Sequence, residues 1–166
     1  MNTASGQRAR VLGPREGEIL GTPETVTDRF MIGHRDTDGR FALVEHRLAP
    51  HTLAAPLHLH ALEDEYSYVL EGRVGALLGD QEVSAQAGDL IFKPRGQWHT
   101  FWNAGDEPAG ILELISPGGL EELFREMGTL AEPPDPETIA ALAARYSAQV
   151  DFEGTMPILD RHGLAF

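Results

Sequence analysis

From about residue 17 to residue 116 the chain breaks into short runs rich in Val, Ile, Leu and Phe, separated by turn residues at the spacing of a β sandwich or barrel. "FALVEHRL" (41 to 48) follows the turn-like "RDTDGR", and "YSYVLEG" (66 to 72) meets "RVGALLG" (73 to 79) across a tight Glu71-Gly72 junction. "GDQ" turns the chain into "EVSAQ", "GDLIFKP" (88 to 94) and "HTFWN" (99 to 103) flank a Pro-x-Gly loop, and "GILELIS" (110 to 116) closes the series. Successive hairpins are expected. After Gly119 the period changes: Leu120, Leu123, Phe124 and Met127 make a helical stripe. A second helix is expected from Asp135 as N-cap and Pro136 at the first turn, with Ile139, Leu142, Ala143 and Tyr146 on one face. The apolar tail "MPILDRHGLAF" is expected to pack back on the body. The pattern therefore predicts an N-terminal arm (1–16), an all-β body (17–119) and a helical C-terminal extension (120–166) packed on it.

Length and composition narrow the function. A chain of 166 residues fits one domain with a proper core. It contains no cysteine, so disulfides, thiolate catalysis and sulfur-ligated metals are excluded, and any metal must be held by His, Asp or Glu. The formal charge of -13 repels phosphate backbones and anionic lipids, so neither nucleic acid nor a membrane surface is an expected partner. The polar start "MNTASGQRAR" lacks the apolar stretch of a secretory signal and is expected to be a frayed arm, and a cytoplasmic location is expected.

The chemistry concentrates in "PLHLHALEDEYSYVLEG". Residues two apart on a strand share a face, so His58 and His60 project together. Parity allows either Glu63 or Glu65 to join them, and continuity with "YSYVL" favours Glu65. His99, at the start of another strand, supplies a further nitrogen. Three imidazoles and a carboxylate suit one divalent transition metal, Fe, Mn, Ni, Co, Cu or Zn, with exchangeable positions left over. By the same parity count Ser67, Val69 and Phe101 face the cavity, Trp98 lies near its open end and Trp102 faces away. His34, His46, His51 and His162 are read as surface or supporting residues, and Lys93 as unsupported for Schiff-base chemistry. The acidic triplet lacks the spacing of a calcium loop, and no phosphate loop or nucleophile elbow is present.

These two stretches resemble the paired motifs of the cupin superfamily. His58, His60, Glu65 and Gly72 meet the first motif; Gly88, Pro94, Gly96, His99 and Asn103 meet the second. Thr52 stands where the family often has glycine, a turn position that leaves the ligands untouched. The surrounding wording is similar to that of small single-domain, quercetin-dioxygenase-like cupins. The resemblance implies a double-stranded β-helix (jelly roll), metal ligation by His58, His60, Glu65 and His99, a homodimer, and a small-molecule substrate. It further implies dioxygenase chemistry on an enolic or phenolic molecule, with Glu65 as a base. A non-redox isomerase or cyclase and a non-catalytic small-molecule binder remain alternatives, because fold does not select the reaction.

Overall fold

A computed structural model describes residues 9–130 and 134–166. In chain order the strands are β1 (Glu18–Gly21), β2 (Val26–Ile32), β3 (Ala42–Leu48), β4 (Thr52–Leu53), β5 (Leu57–His60) and β6 (Asp64–Glu71). There follow β7 (Arg73–Leu78), β8 (Gln81–Gln86), β9 (Leu90–Lys93), β10 (His99–Asn103) and β11 (Ala109–Ser116). The last part holds α1 (Glu121–Met127), α2 (Pro136–Arg145), β12 (Ala148–Asp151) and α3 (Phe152–His162).

Two antiparallel sheets face each other in a jelly roll. One runs β1-β2-β3-β11-β6-β9 and the other β12-β5-β10-β7-β8, with β4 paired to β10. Inward positions alternate as the pleat demands: Val44 and Leu48 on β3, Val69 on β6, Val74 and Ala76 on β7, and Ile111 and Ile115 on β11 are all buried. The inner faces enclose one core around Leu48, Val69, Val74 and Ile111, and a second around Phe30, Val44, Ile115 and Leu123. All of β10 is buried because its second face is covered too: Trp102 packs with Leu53 and Ile158 beneath α3.

Three expectations change. The Glu71-Gly72 junction is not a hairpin, since β6 pairs with β11 and β9 while β7 pairs with β10 and β8. Gly72 carries the chain between the sheets at φ 72°, where a Cβ would lie 2.7 Å from the Pro108 carbonyl oxygen. The C-terminal extension is not purely helical: β12 adds a strand beside β5, pairing Ala148 with His60 and Val150 with His58. Of the arm, residues 1–8 lie outside the described residues, and the following stretch is tied down rather than frayed. Arg29 donates to the Gly13 and Glu16 carbonyls, and Arg10 lies 3.1 Å from Asp36. The expected α2 cap is present, with Asp135 accepting from the Thr138 N–H at 2.9 Å. No helix among the described residues is long and apolar enough to cross a membrane.

Candidate metal centre and cavity

His58 and His60 come from β5, His99 from β10 directly opposite His58, and Glu65 from β6 in the facing sheet. Each sits at an inward position, so closing the two sheets brings them together. Their ligand atoms lie within 4.8 Å of one another. The imidazole centroids are 4.8 Å apart for His58 and His60, 4.4 Å for His58 and His99, and 5.3 Å for His60 and His99. Glu63, the alternative that parity left open, is buried outside this cluster.

The chemistry of the donors fits a cation. His58 Nδ1 donates to the Pro56 carbonyl at 2.6 Å and His99 Nδ1 to the Gln97 carbonyl at 2.9 Å, which leaves each Nε2 lone pair free. His99 Nε2 faces Glu65 Oε2 at 3.0 Å, and neither nitrogen of buried His60 has a hydrogen-bond partner. Burial holds His60 down at about 4, and burial together with the neighbouring His99 and His60 holds His58 well below the usual histidine range. Both rings are therefore neutral ligands at pH 7. Burial pushes the Glu65 carboxyl up, but the Lys93 ammonium at 3.0 Å together with the His60 and His99 imidazoles outweighs it and keeps the group ionised well below its usual range. Three imidazoles and a carboxylate, buried and brought within reach of one point, are a donor set suited to a divalent metal of the borderline class.

Sequence reasoning missed the groups around it. Lys93 is 1% exposed and bonds Glu113 at 2.8 Å as well as Glu65; Glu113 also accepts from the Ser67 hydroxyl at 2.8 Å. Burial lowers Lys93, yet the two carboxylates raise it above the normal lysine value, so it stays charged. His46 is buried and its Nδ1 lies 2.7 Å from Asp28 on the adjoining strand. Asp28, His46, Lys93 and Glu113 all stand at inward positions of their strands, and a charged or polar residue breaking an apolar alternation was the legible signal.

A cavity of about 170 Å³ opens onto the cluster. His58, His60 and Glu65 share its wall with Asp28, His46 and Glu113; the rest is apolar, including Phe101, Leu123, Phe124, Met127, Ile139 and Val150. Thus α1, α2 and β12 cover the barrel mouth, whereas α3 packs on the outer face. Phe101 is where parity put it. Ser67, Val69 and Trp98 are not part of this wall. Ser67 is engaged by Glu113, and Val69 is absorbed into the apolar core. Trp98 is half-buried in the loop before β10. His34 pairs with Glu121, His51 with Asp106, and His162 stacks on Trp102 at 4.6 Å, all away from the cluster.

The two facing antiparallel sheets form a jelly-roll fold. Residues 44–115 match the family model described as Cupin domain, which with the structural neighbours supports the cupin superfamily. The chain is 32% identical over 84 residues to the tetracenomycin polyketide synthase protein TcmJ of Streptomyces glaucescens, a match covering 51% of this chain and 54% of TcmJ. The chain thus spans about half the length of that curated relative. Among solved structures, the polyketide cyclase RemF of Streptomyces resistomycificus superimposes with a TM-score of 0.57 at 28% identity, covering 66% of this chain and 80% of RemF. A Thermotoga maritima protein described as a predicted oxalate decarboxylase gives a TM-score of 0.60 at 21% identity, over 65% of this chain and 99% of its own, and bears on the fold alone.

Proposed function

We propose that the protein is a mononuclear metal-dependent enzyme that cyclises or isomerises a small, largely apolar or aromatic molecule bearing carbonyl groups. The observation that carries the reading is the cluster of three histidines and one carboxylate, of which His58, His60 and Glu65 line a largely apolar cavity. Similarity to TcmJ and RemF supports a polyketide-like substrate class. A bound divalent metal would supply Lewis acidity, polarising a carbonyl and stabilising its enolate. The chain does the rest. Phe101, Phe124 and Met127 exclude water and accept an aromatic face, and the Lys93 ammonium keeps Glu65 ionised in a site that would otherwise favour its neutral form. Dioxygenase chemistry on an enolic or phenolic substrate, implied by the sequence resemblance, would draw on the same residues.

Elemental mass spectrometry of untagged protein tests the foundation: near-stoichiometric metal is expected, lost in both His58→Ala and Glu65→Ala. A protein that stays metal-free and resists reconstitution overturns the enzyme reading in favour of a small-molecule binder. With metal loaded, conversion of a poly-β-carbonyl substrate without oxygen consumption supports the cyclase or isomerase reading. Stoichiometric oxygen uptake with a flavonol replaces it with the dioxygenase.

A further inference from the structure

The metal cluster accounts for part of the polar wall of the cavity and leaves one pair unexplained. Asp28 on β2 and His46 on β3 are register partners, and both side chains line the cavity. His46 Nδ1 is committed to Asp28 Oδ1 at 2.7 Å, leaving Nε2 as the ring's free nitrogen. Two aromatic rings fix the imidazole: Phe101 with centroids 6.1 Å away and Phe124 at 5.5 Å. A pair needed only to join two strands would not require a buried imidazole here, since β2 and β3 are already joined by their backbone ladder and by the Arg29–Glu45 ion pair. Instead a nitrogen base, oriented by a carboxylate and clamped by aromatics, shares a small cavity with three metal-ligating side chains. That is the arrangement of an oriented acid–base group.

We propose that His46 is a catalytic acid–base that exchanges protons with the substrate through Nε2, and that Asp28 is the positioning residue that fixes its tautomer. The inference rests on the reading of the cavity as a metal-dependent carbonyl site. In the forward step a C–H bond next to a carbonyl breaks, its electron pair stays on the substrate as the enolate, and the proton passes to Nε2. When the enolate carbon adds to a second carbonyl, a C–C bond forms and the carbonyl π pair moves to oxygen. Nε2 returns its proton to that oxygen. The sum is redox-neutral and needs no co-reactant.

The groups facing His46 are Asp28 from β2, Glu113 from β11 and Lys93 from β9. Burial lowers the imidazole's basicity and Lys93 opposes its charge, but Asp28 and Glu113 together more than compensate, so that it titrates above the ordinary 6.5. A base of this kind works in its neutral form, so the rate rises with pH through that titration.

The test uses the zinc-loaded 166-residue chain and 2-tetralone, an aromatic ketone, following exchange of its α-protons into D₂O by NMR. Side-chain ¹⁵N spectra of the same protein report the His46 tautomer and titration. Expected results are metal-dependent exchange by the wild type, abolished in His58→Ala, and a loss of roughly 10²-fold or more in kcat for His46→Gln with KM and zinc stoichiometry unchanged. Asp28→Asn should move both the His46 titration and the rising limb of the rate profile to lower pH. If His46→Gln exchanges within about threefold of wild type while His58→Ala is inactive, or if Nδ1 carries no proton, the acid–base role is overturned and the metal-site reading stands. If the wild type does not exchange, or His58→Ala exchanges as well as wild type, the carbonyl-site reading fails and takes the inference with it.

Discussion

The Lys93 ammonium, 1% exposed between Glu65 and Glu113, shows how a buried charge is retained: it is paired on both sides, and its Nζ lies over the Phe101 ring, 4.7 Å from the centre. Lys93→Met leaves two buried carboxylates without their cation. We expect a loss of about 3–5 kcal/mol in urea unfolding, and Lys93→Met with Glu113→Gln should recover part of it. His60 makes a pH prediction for the metal-free protein. Its ring titrates near 6.5 when unfolded and at about 4 when folded, so between these values the unfolded chain binds more protons and stability falls as pH falls. The full window is worth about 3 kcal/mol, present above pH 6.5 and lost by pH 4, measurable as a falling denaturant midpoint across that range. At this scale the ligands were legible because His58, His60 and Glu65 lie close in sequence. Asp28, His46 and Glu113 were missed, because each breaks an apolar alternation singly on a strand whose partners in the site lie elsewhere in the chain.

At the scale of elements, β7 and β10 meet where Gly75 pairs with Trp102, and a Cβ on Gly75 would lie 2.3 Å from the indole Nε1. Gly75→Ala is expected to destabilise by about 1–3 kcal/mol, because the indole is wedged between this strand and α3 and has little room to yield. Its thermal midpoint should fall, and Trp102→Phe in the same chain should restore part of the loss. Across the barrel mouth, Ile139 of α2 is 4% exposed and forms part of the cavity roof. Ile139→Ala should cost about 2–4 kcal/mol in denaturant unfolding and enlarge the cavity, while zinc stoichiometry stays unchanged. The helix stripes were readable from their period, and the Asp135 cap from its chemistry. That α1 and α2 roof the cavity while α3 packs outside was not readable, since an amphipathic stripe names a buried face without naming what buries it.

For the whole molecule, β9 ends its sheet and, with β6, presents exposed Tyr68, Leu90 and Phe92 on one face. We propose that this face joins two copies in the homodimer that the resemblance implies. Light scattering should give twice the 18.1 kDa chain mass, reduced to one chain by Leu90→Lys with Phe92→Lys, and a monomeric wild type would remove the idea.

The sequence by itself determined the strand and helix periods, the exclusion of sulfur chemistry, and three nitrogen donors and a carboxylate at inward positions. These follow from short-range physics: pleat parity, helical period and donor chemistry act within a few residues. Tertiary structure alone decided which strands share a sheet, that β6 and β7 part company at Gly72, and that β12 returns to flank the ligand strand β5. It also brought Glu113, Asp28 and His46 to one cavity with His58, His60 and Glu65, and set Lys93 between Glu65 and Glu113. Those outcomes depend on hydrogen-bond ladders and charge pairs between residues tens of positions apart, such as Lys93 with Glu65, and no local pattern encodes the partner of a strand.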